Sequence, residues 1–126
     1  MKTVRVEDVT GETFPAGRRT RILIGPGSVE ARNFVMGHVT IFPDGSVPLN
    51  QHEQEEVYVI LQGSGSMRVG DEEQEVCAGT AVYVSPGVPH QLKNTGPEDL
   101  IMMFVYSPAG VVSHWQKERE GDFKIV

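Results

Sequence analysis

Gly45-Ser46-Val47-Pro48-Leu49-Asn50-Gln51-His52-Glu53-Gln54-Glu55-Glu56-Val57-Tyr58-Val59-Ile60-Leu61-Gln62-Gly63 decides the fold. From Glu56 to Gln62 it is β-branched and aromatic, which favours a strand. The strand places Glu56, Tyr58 and Ile60 on one face. His52 has the same parity as Glu56, but four residues of straight strand span about 13 Å. The two side chains meet at one point only if the chain bends between them. A second segment, Gly79 to Asn94, carries the turn Ser85-Pro86-Gly87 and then Pro89-His90. Pro89 restricts the backbone just before His90 and so helps fix where its imidazole points.

Working outward, apolar stretches alternate with turn signals along the whole chain. Val4 and Val6 alternate with charged residues and suggest a short first strand. Arg21 to Ile24 follows, stopped by Gly25-Pro26-Gly27. Asn33 to Phe42 reads as a long strand, ended by Pro43-Asp44-Gly45. After Gly63-Ser64-Gly65 come Ser66 to Val69 and Gln74 to Cys77, joined across Gly70-Asp71-Glu72 as a hairpin. Thr80 to Val84 and His90 to Lys93 are next. Leu100 to Tyr106 is nearly all apolar, as expected of a strand buried on both sides. Short strands at this spacing predict an all-β sandwich or barrel. Only Val111 to Glu120 has helical periodicity, with Val111, Val112 and Trp115 near one face. Phe123 and Ile125 share a phase that suits a last short strand.

Composition narrows the function. The 126 residues suit one domain, 1–126, and 39% apolar content supplies one modest core. A net charge of −6 without a basic block argues against nucleic acid. The only basic cluster, Arg18, Arg19 and Arg21, reads first as a solvated strand edge and second as an anion site. Lone Cys77 cannot form an internal disulfide, and reads as a small buried residue. No apolar run is long enough to span a bilayer, and Met1 to Arg5 has no signal-peptide core. The expectation is a cytoplasmic protein with no membrane or nucleic-acid partner.

Two imidazoles and one carboxylate on one side of a divalent ion leave positions open for water, oxygen or substrate. His52, Glu56 and His90 form such a set, suited to Fe and compatible with Mn, Ni, Co or Zn. Glu56 also has a rival reading as one more member of the acidic run Glu53, Glu55, Glu56.

These segments resemble the two motifs of the cupin superfamily. The first motif runs Gly, a short spacer, His-x-His, three or four residues, Glu, six residues, Gly. Glu56, six residues and Gly63 match it, and His52 falls on its second histidine. The second motif runs Gly, five residues, Pro-x-Gly, two residues, His, three residues, Asn. Gly79, Gly87, His90 and Asn94 match, with Ser85 in the proline place. The resemblance implies a double-stranded β-helix, or jelly-roll barrel, with the short helical segment near the C-terminus. It also implies a homodimer, for which the strand at Val4 and Val6 could pair across the interface. The family's first histidine falls on Asn50. An amide oxygen is a weaker ligand than imidazole for a borderline metal, so Asn50 is a weak ligand, a hydrogen-bond partner of bound water, or turned away.

Other residues invite two readings. His38, in phase with Phe34, Met36 and Thr40, faces substrate, supports a ligand, or is an ordinary core or surface histidine. His114 is expected to be exposed. Tyr58, Ile60, Met102 and Phe104 read first as core and second as pocket lining, and Asn94 as turn support. Three functions compete for a small-molecule ligand: a dioxygenase-like enzyme, which is the leading expectation; a non-redox isomerase, lyase or sugar-modifying enzyme; and a binding module without turnover.

Overall fold

The structure is a computed structural model describing residues 1–126. Ten strands lead to one short helix. They are β1 Glu12–Phe14, β2 Arg18–Ile24, β3 Val35–Ile41, β4 Ser46–Asn50, β5 Glu55–Gln62, β6 Ser64–Val69, β7 Glu72–Cys77, β8 Ala81–Val84, β9 His90–Asn94, β10 Leu100–Ser107 and α1 His114–Arg119. They form two antiparallel sheets, a six-stranded one in the order β1-β2-β3-β10-β5-β8 and a four-stranded one in the order β4-β9-β6-β7. This is the jelly-roll arrangement that the motifs imply.

Alternation builds the interior. On β5, Glu56, Tyr58 and Ile60 are buried while Val57, Val59 and Leu61 are exposed. On β10, Leu100, Met102, Phe104 and Tyr106 turn inward. From the other sheet Val47, Met67 and Leu92 complete the core. Leu92 and Leu100 are fully buried, and burying such a side chain contributes about 1.5–3 kcal/mol each. Gly37 on β3 faces the Phe104 ring; a Cβ there would lie 2.4 Å from two ring carbons. Gly45 similarly lets two turns touch, since its Cβ would fall 2.0 Å from the Gly17 carbonyl oxygen.

Several expectations need correction. Val4 and Val6 form no strand; Val6–Asp8 is a single 3-10 turn, closed by bonds from the Asp8 and Val9 amides to the Arg5 and Val6 carbonyls. Two alternating valines are too short a pattern to outweigh that local closure. The β10 run is buried on one side only, because Ile101, Met103 and Val105 are half-buried on the outer face. β4 escaped the sequence reading because Pro48 argues against a central strand. It is an edge strand, where a missing N–H is tolerated. Near the end, only Lys124 bridges to Leu49, so Phe123 and Ile125 make no full strand. Cys77 is exposed, because it closes edge strand β7 on its solvent face. Arg18 is not on a solvated edge. It has the parity of buried Thr20 and points into the barrel, while Arg19 and Arg21 bond outward to the Thr10 and Val9 carbonyls.

Candidate metal centre

Three elements bring the predicted ligands together. β5 opens with Glu56 facing inward, and His90 opens β9 directly across the barrel. The bend between β4 and β5 carries His52 back over Glu56, and the Gly87 amide donating to the His52 carbonyl at 2.8 Å ties that bend to the Pro86-Gly87 turn. One donor atom from each of His52, Glu56 and His90 lies within 4.8 Å of the others. Nε2 of His52 is 3.2 Å, and Nε2 of His90 is 3.1 Å, from the same oxygen, Glu56 Oε1.

The other ring nitrogens explain what this cluster is suited to. His52 Nδ1 lies 2.9 Å from the Gln54 carbonyl oxygen, and His90 Nδ1 lies 2.9 Å from that of Val88. A carbonyl only accepts, so each Nδ1 carries a proton and Nε2 is the nitrogen that each ring turns to Glu56. Those two nitrogens and one carboxylate oxygen are the atoms a divalent cation would take as ligands. A backbone carbonyl behind each imidazole is the usual orienting partner of a metal-ligating histidine. The donor set therefore fits a divalent ion.

Burial alone would lower the His52 pKa, but the Glu56 carboxylate overturns this and raises it. Burial would raise that of Glu56, yet the two imidazoles hold it below the usual carboxylate range. Burial, then Glu56, pushes the Tyr106 phenol up to about 12, and the same two causes hold Tyr58 well above the ordinary phenol value. Both phenols thus stay protonated.

Asn50 shares the inner face with His90, its partner across β4 and β9, after a register shift beyond Val47. Its Nδ2 donates to the Pro48 and His90 carbonyls at 2.9 and 3.3 Å, while Oδ1 is buried without a partner in the chain. Asn94 supports a turn, with Nδ2 donating to the Ile41 and Glu98 carbonyls and Oδ1 accepting from the Gly96 amide. Tyr58, Met102 and Phe104 are both core and cavity wall, whereas Ile60 is core. His38 alternates with Gly37 and Val39, so it lies on the outer face of the sheet, away from the cluster; burial and then Arg21 lower its pKa.

His114 corrects another expectation. It is largely buried, its ring stacking on His52 with centroids 6.2 Å apart, and its Nδ1 has no partner. Burial drives its pKa down to about 2. α1 brings it there because Trp115 packs against Phe14 and Phe104, and because Glu118 enters the barrel to meet Arg18. Arg18 Nη1 donates to both Glu118 oxygens at 2.6 and 2.7 Å, and the Ala16 amide donates to Oε2 at 3.2 Å. Both partners are almost completely buried. Sequence reasoning missed this pair. The available signal was its spacing: Glu118 lies three residues from Trp115 on the helix's apolar face, and Arg18 two from Thr20.

The Cupin domain family model matches residues 37–106, and the chain belongs to the cupin family. It is 32% identical over 93 residues to the tetracenomycin polyketide synthase protein TcmJ of Streptomyces glaucescens, covering 73% of this chain and 62% of that protein. It is 30% identical over 91 residues to the dimethylsulfoniopropionate lyase DddW of Ruegeria pomeroyi, covering 72% and 59%. The chain thus spans about three fifths of each relative's length. The polyketide cyclase RemF of Streptomyces resistomycificus superposes with a TM-score of 0.74 at 25% identity, covering 91% of this chain and 89% of that one.

Proposed function

We propose that this cupin is a metal-dependent enzyme acting on a small organic molecule, with the ion held by His52, Glu56 and His90. The observation that carries this reading is the convergence of two imidazole Nε2 atoms on Glu56 Oε1, with both Nδ1 atoms committed to backbone carbonyls. The free Oδ1 of buried Asn50 supports it as a weak fourth ligand or as acceptor for a bound water. When bound, the ion would supply Lewis acidity and, if redox-active, oxygen activation. Asn50 and the ligands fix position, the phenols of Tyr58 and Tyr106 stay protonated and bring no negative charge of their own, and Met102, Phe104 and Trp115 wall off water.

Non-redox chemistry leads, because the named relatives include a cyclase and a lyase. A dioxygenase-like reaction is the second reading, favoured by the two-His, one-carboxylate set with open positions. Elemental analysis of protein purified without added metal, beside His52→Ala and His90→Ala, tests the centre. One equivalent of metal in the parent and little in either variant is expected; equal content in all three would remove the site. Turnover that survives anaerobic conditions with Zn, Mn or Ni supports the first reading, and oxygen uptake with stoichiometric Fe the second.

Exposed, unpaired Cys77 suits a reducing compartment such as the cytoplasm. The homodimer also stands as a proposal, now through a different surface. Val57, Val59 and Leu61 of β5, Tyr83 of β8, and Ile101, Met103 and Val105 of β10 make a continuous apolar outer face on three adjacent strands. Light scattering should give twice 13.9 kDa, and Leu61→Glu should return the monomer mass.

A further inference from the structure

We propose that the cavity beside Glu56 binds a small carboxylate through Arg18, Thr20 and His114. This deepens the metal-enzyme reading, on which it rests, by naming a substrate class and the groups that receive it.

The cavity is about 20 Å³ and lies between the metal centre and α1. Arg18, Thr20 and His114 all line it, and each has a buried polar atom without a partner in the chain: Arg18 Nη2, Thr20 Oγ1 and His114 Nδ1. Orphaned buried polar atoms are rare in folded proteins, and each costs free energy unless something meets it. Three around one cavity make a built site. All three can donate together, and Arg18 can do nothing else. A guanidinium N–H can only donate, a hydroxyl can donate, and an imidazole donates in its Nδ1–H tautomer. The matching ligand is rich in acceptors.

Charge fixes its class further. Glu118 already cancels Arg18, gripping Nη1 from both oxygens and leaving Nη2 free. On the other side, Glu56 neutralises one of the two charges of a divalent ion. One positive charge remains across the cavity, so a singly charged anion balances it. The apolar walls from Val39, Met102 and Phe104 exclude a strongly hydrated ion and suit a carboxylate on a small carbon body. By this measure 20 Å³ holds about one water. Entry of an organic acid therefore requires α1 to give way, and the buried Arg18–Glu118 pair restrains it.

The test uses the full chain, zinc-loaded and metal-free, titrated with sodium acetate and with neutral acetamide while the Thr20 and His114 amide signals are followed by NMR. Acetate should bind the zinc form one to one, and acetamide at least about tenfold more weakly. Losing one charge-assisted hydrogen bond corresponds to about tenfold. Thr20→Val and His114→Phe should each weaken acetate by about that factor, with zinc content unchanged. Arg18→Met combined with Glu118→Met removes both charges together, so folding is retained, and should also weaken acetate. Equal binding of acetate and acetamide, or unaltered acetate affinity in all variants, overturns the proposal. If the parent takes up no zinc, the metal reading fails by itself. Acetate shifting Thr20 and His114 in metal-free protein would then uphold the carboxylate site, and no shift would overturn it as well.

Discussion

Two walls of the barrel interior, which meet at the cavity that Glu56 lines, were built by different means. The wall at His52, Glu56 and His90 presents ligand atoms that converge on a point, each ring steered by a backbone carbonyl two residues away. The opposite wall, from β2 and α1, presents donors without partners, gathered from residues some 100 apart by the Arg18–Glu118 pair. The first wall is local in sequence and is positioned by turns. The second depends on tertiary packing, because a six-residue helix such as α1 is not stable alone. One wall should therefore fail when the ion is lost, and the other when the helix is released.

The largest effect expected is at the second wall. Glu118→Ala leaves a buried guanidinium uncompensated and should cost about 3–5 kcal/mol in urea denaturation. The paired change Arg18→Met with Glu118→Met should cost far less, because no charge is stranded. Equal losses in the two variants would erase the contrast. Next comes the first wall: a matching divalent ion at a hundredfold excess over its Kd should stabilise the parent by about 2.7 kcal/mol. Glu56→Gln should remove that gain, so that added ion leaves the variant's urea midpoint unmoved.

Acid separates the walls on a finer scale. The folded pKa of His114, about 2, lies below the ordinary histidine value of 6.5. Its neutral burial therefore contributes stability above pH 6.5 that is lost as pH falls below it. For metal-free protein between pH 6.5 and 4.5, the parent should lose about 1.4 kcal/mol per pH unit more than His114→Phe. Parallel stability curves would place the ring in water. The smallest effect is a control away from both walls: Cys77→Ser on exposed β7 should change stability by less than about 0.5 kcal/mol.

The same division explains what could be read from sequence. His52, Glu56 and His90 were legible because spacing, turn residues and strand parity all act within a dozen residues of each ligand. Most strands were legible for a similar reason: β5 and β10 are apolar, β-branched and aromatic runs between turn signals, although such a run does not say that one face of β10 is left half-exposed. β4 was obscured by Pro48, which signals a break except at a sheet edge. Val4 and Val6 misled because two positions cannot distinguish a strand from a turn. Arg18 was hidden in a run of arginines whose alternate members face opposite ways. His114 looked like a solvated helix residue, since nothing local reveals that a carboxylate four positions on is drawn into the barrel.

The last residues of the chain bear on how the cavity opens. The Val126 amide donates to Gln91 Oε1, its carbonyl accepts from Gln91 Nε2 and Lys93 Nζ, and the Leu49 amide donates to the Lys124 carbonyl. The strand before α1 is held within the large sheet, and the residues after it are moored to the small one. A helix roped at both ends does not swing away like a door. If it lifts to admit a ligand, the slack in those two short cords bounds how far, once the buried ion pair has given way.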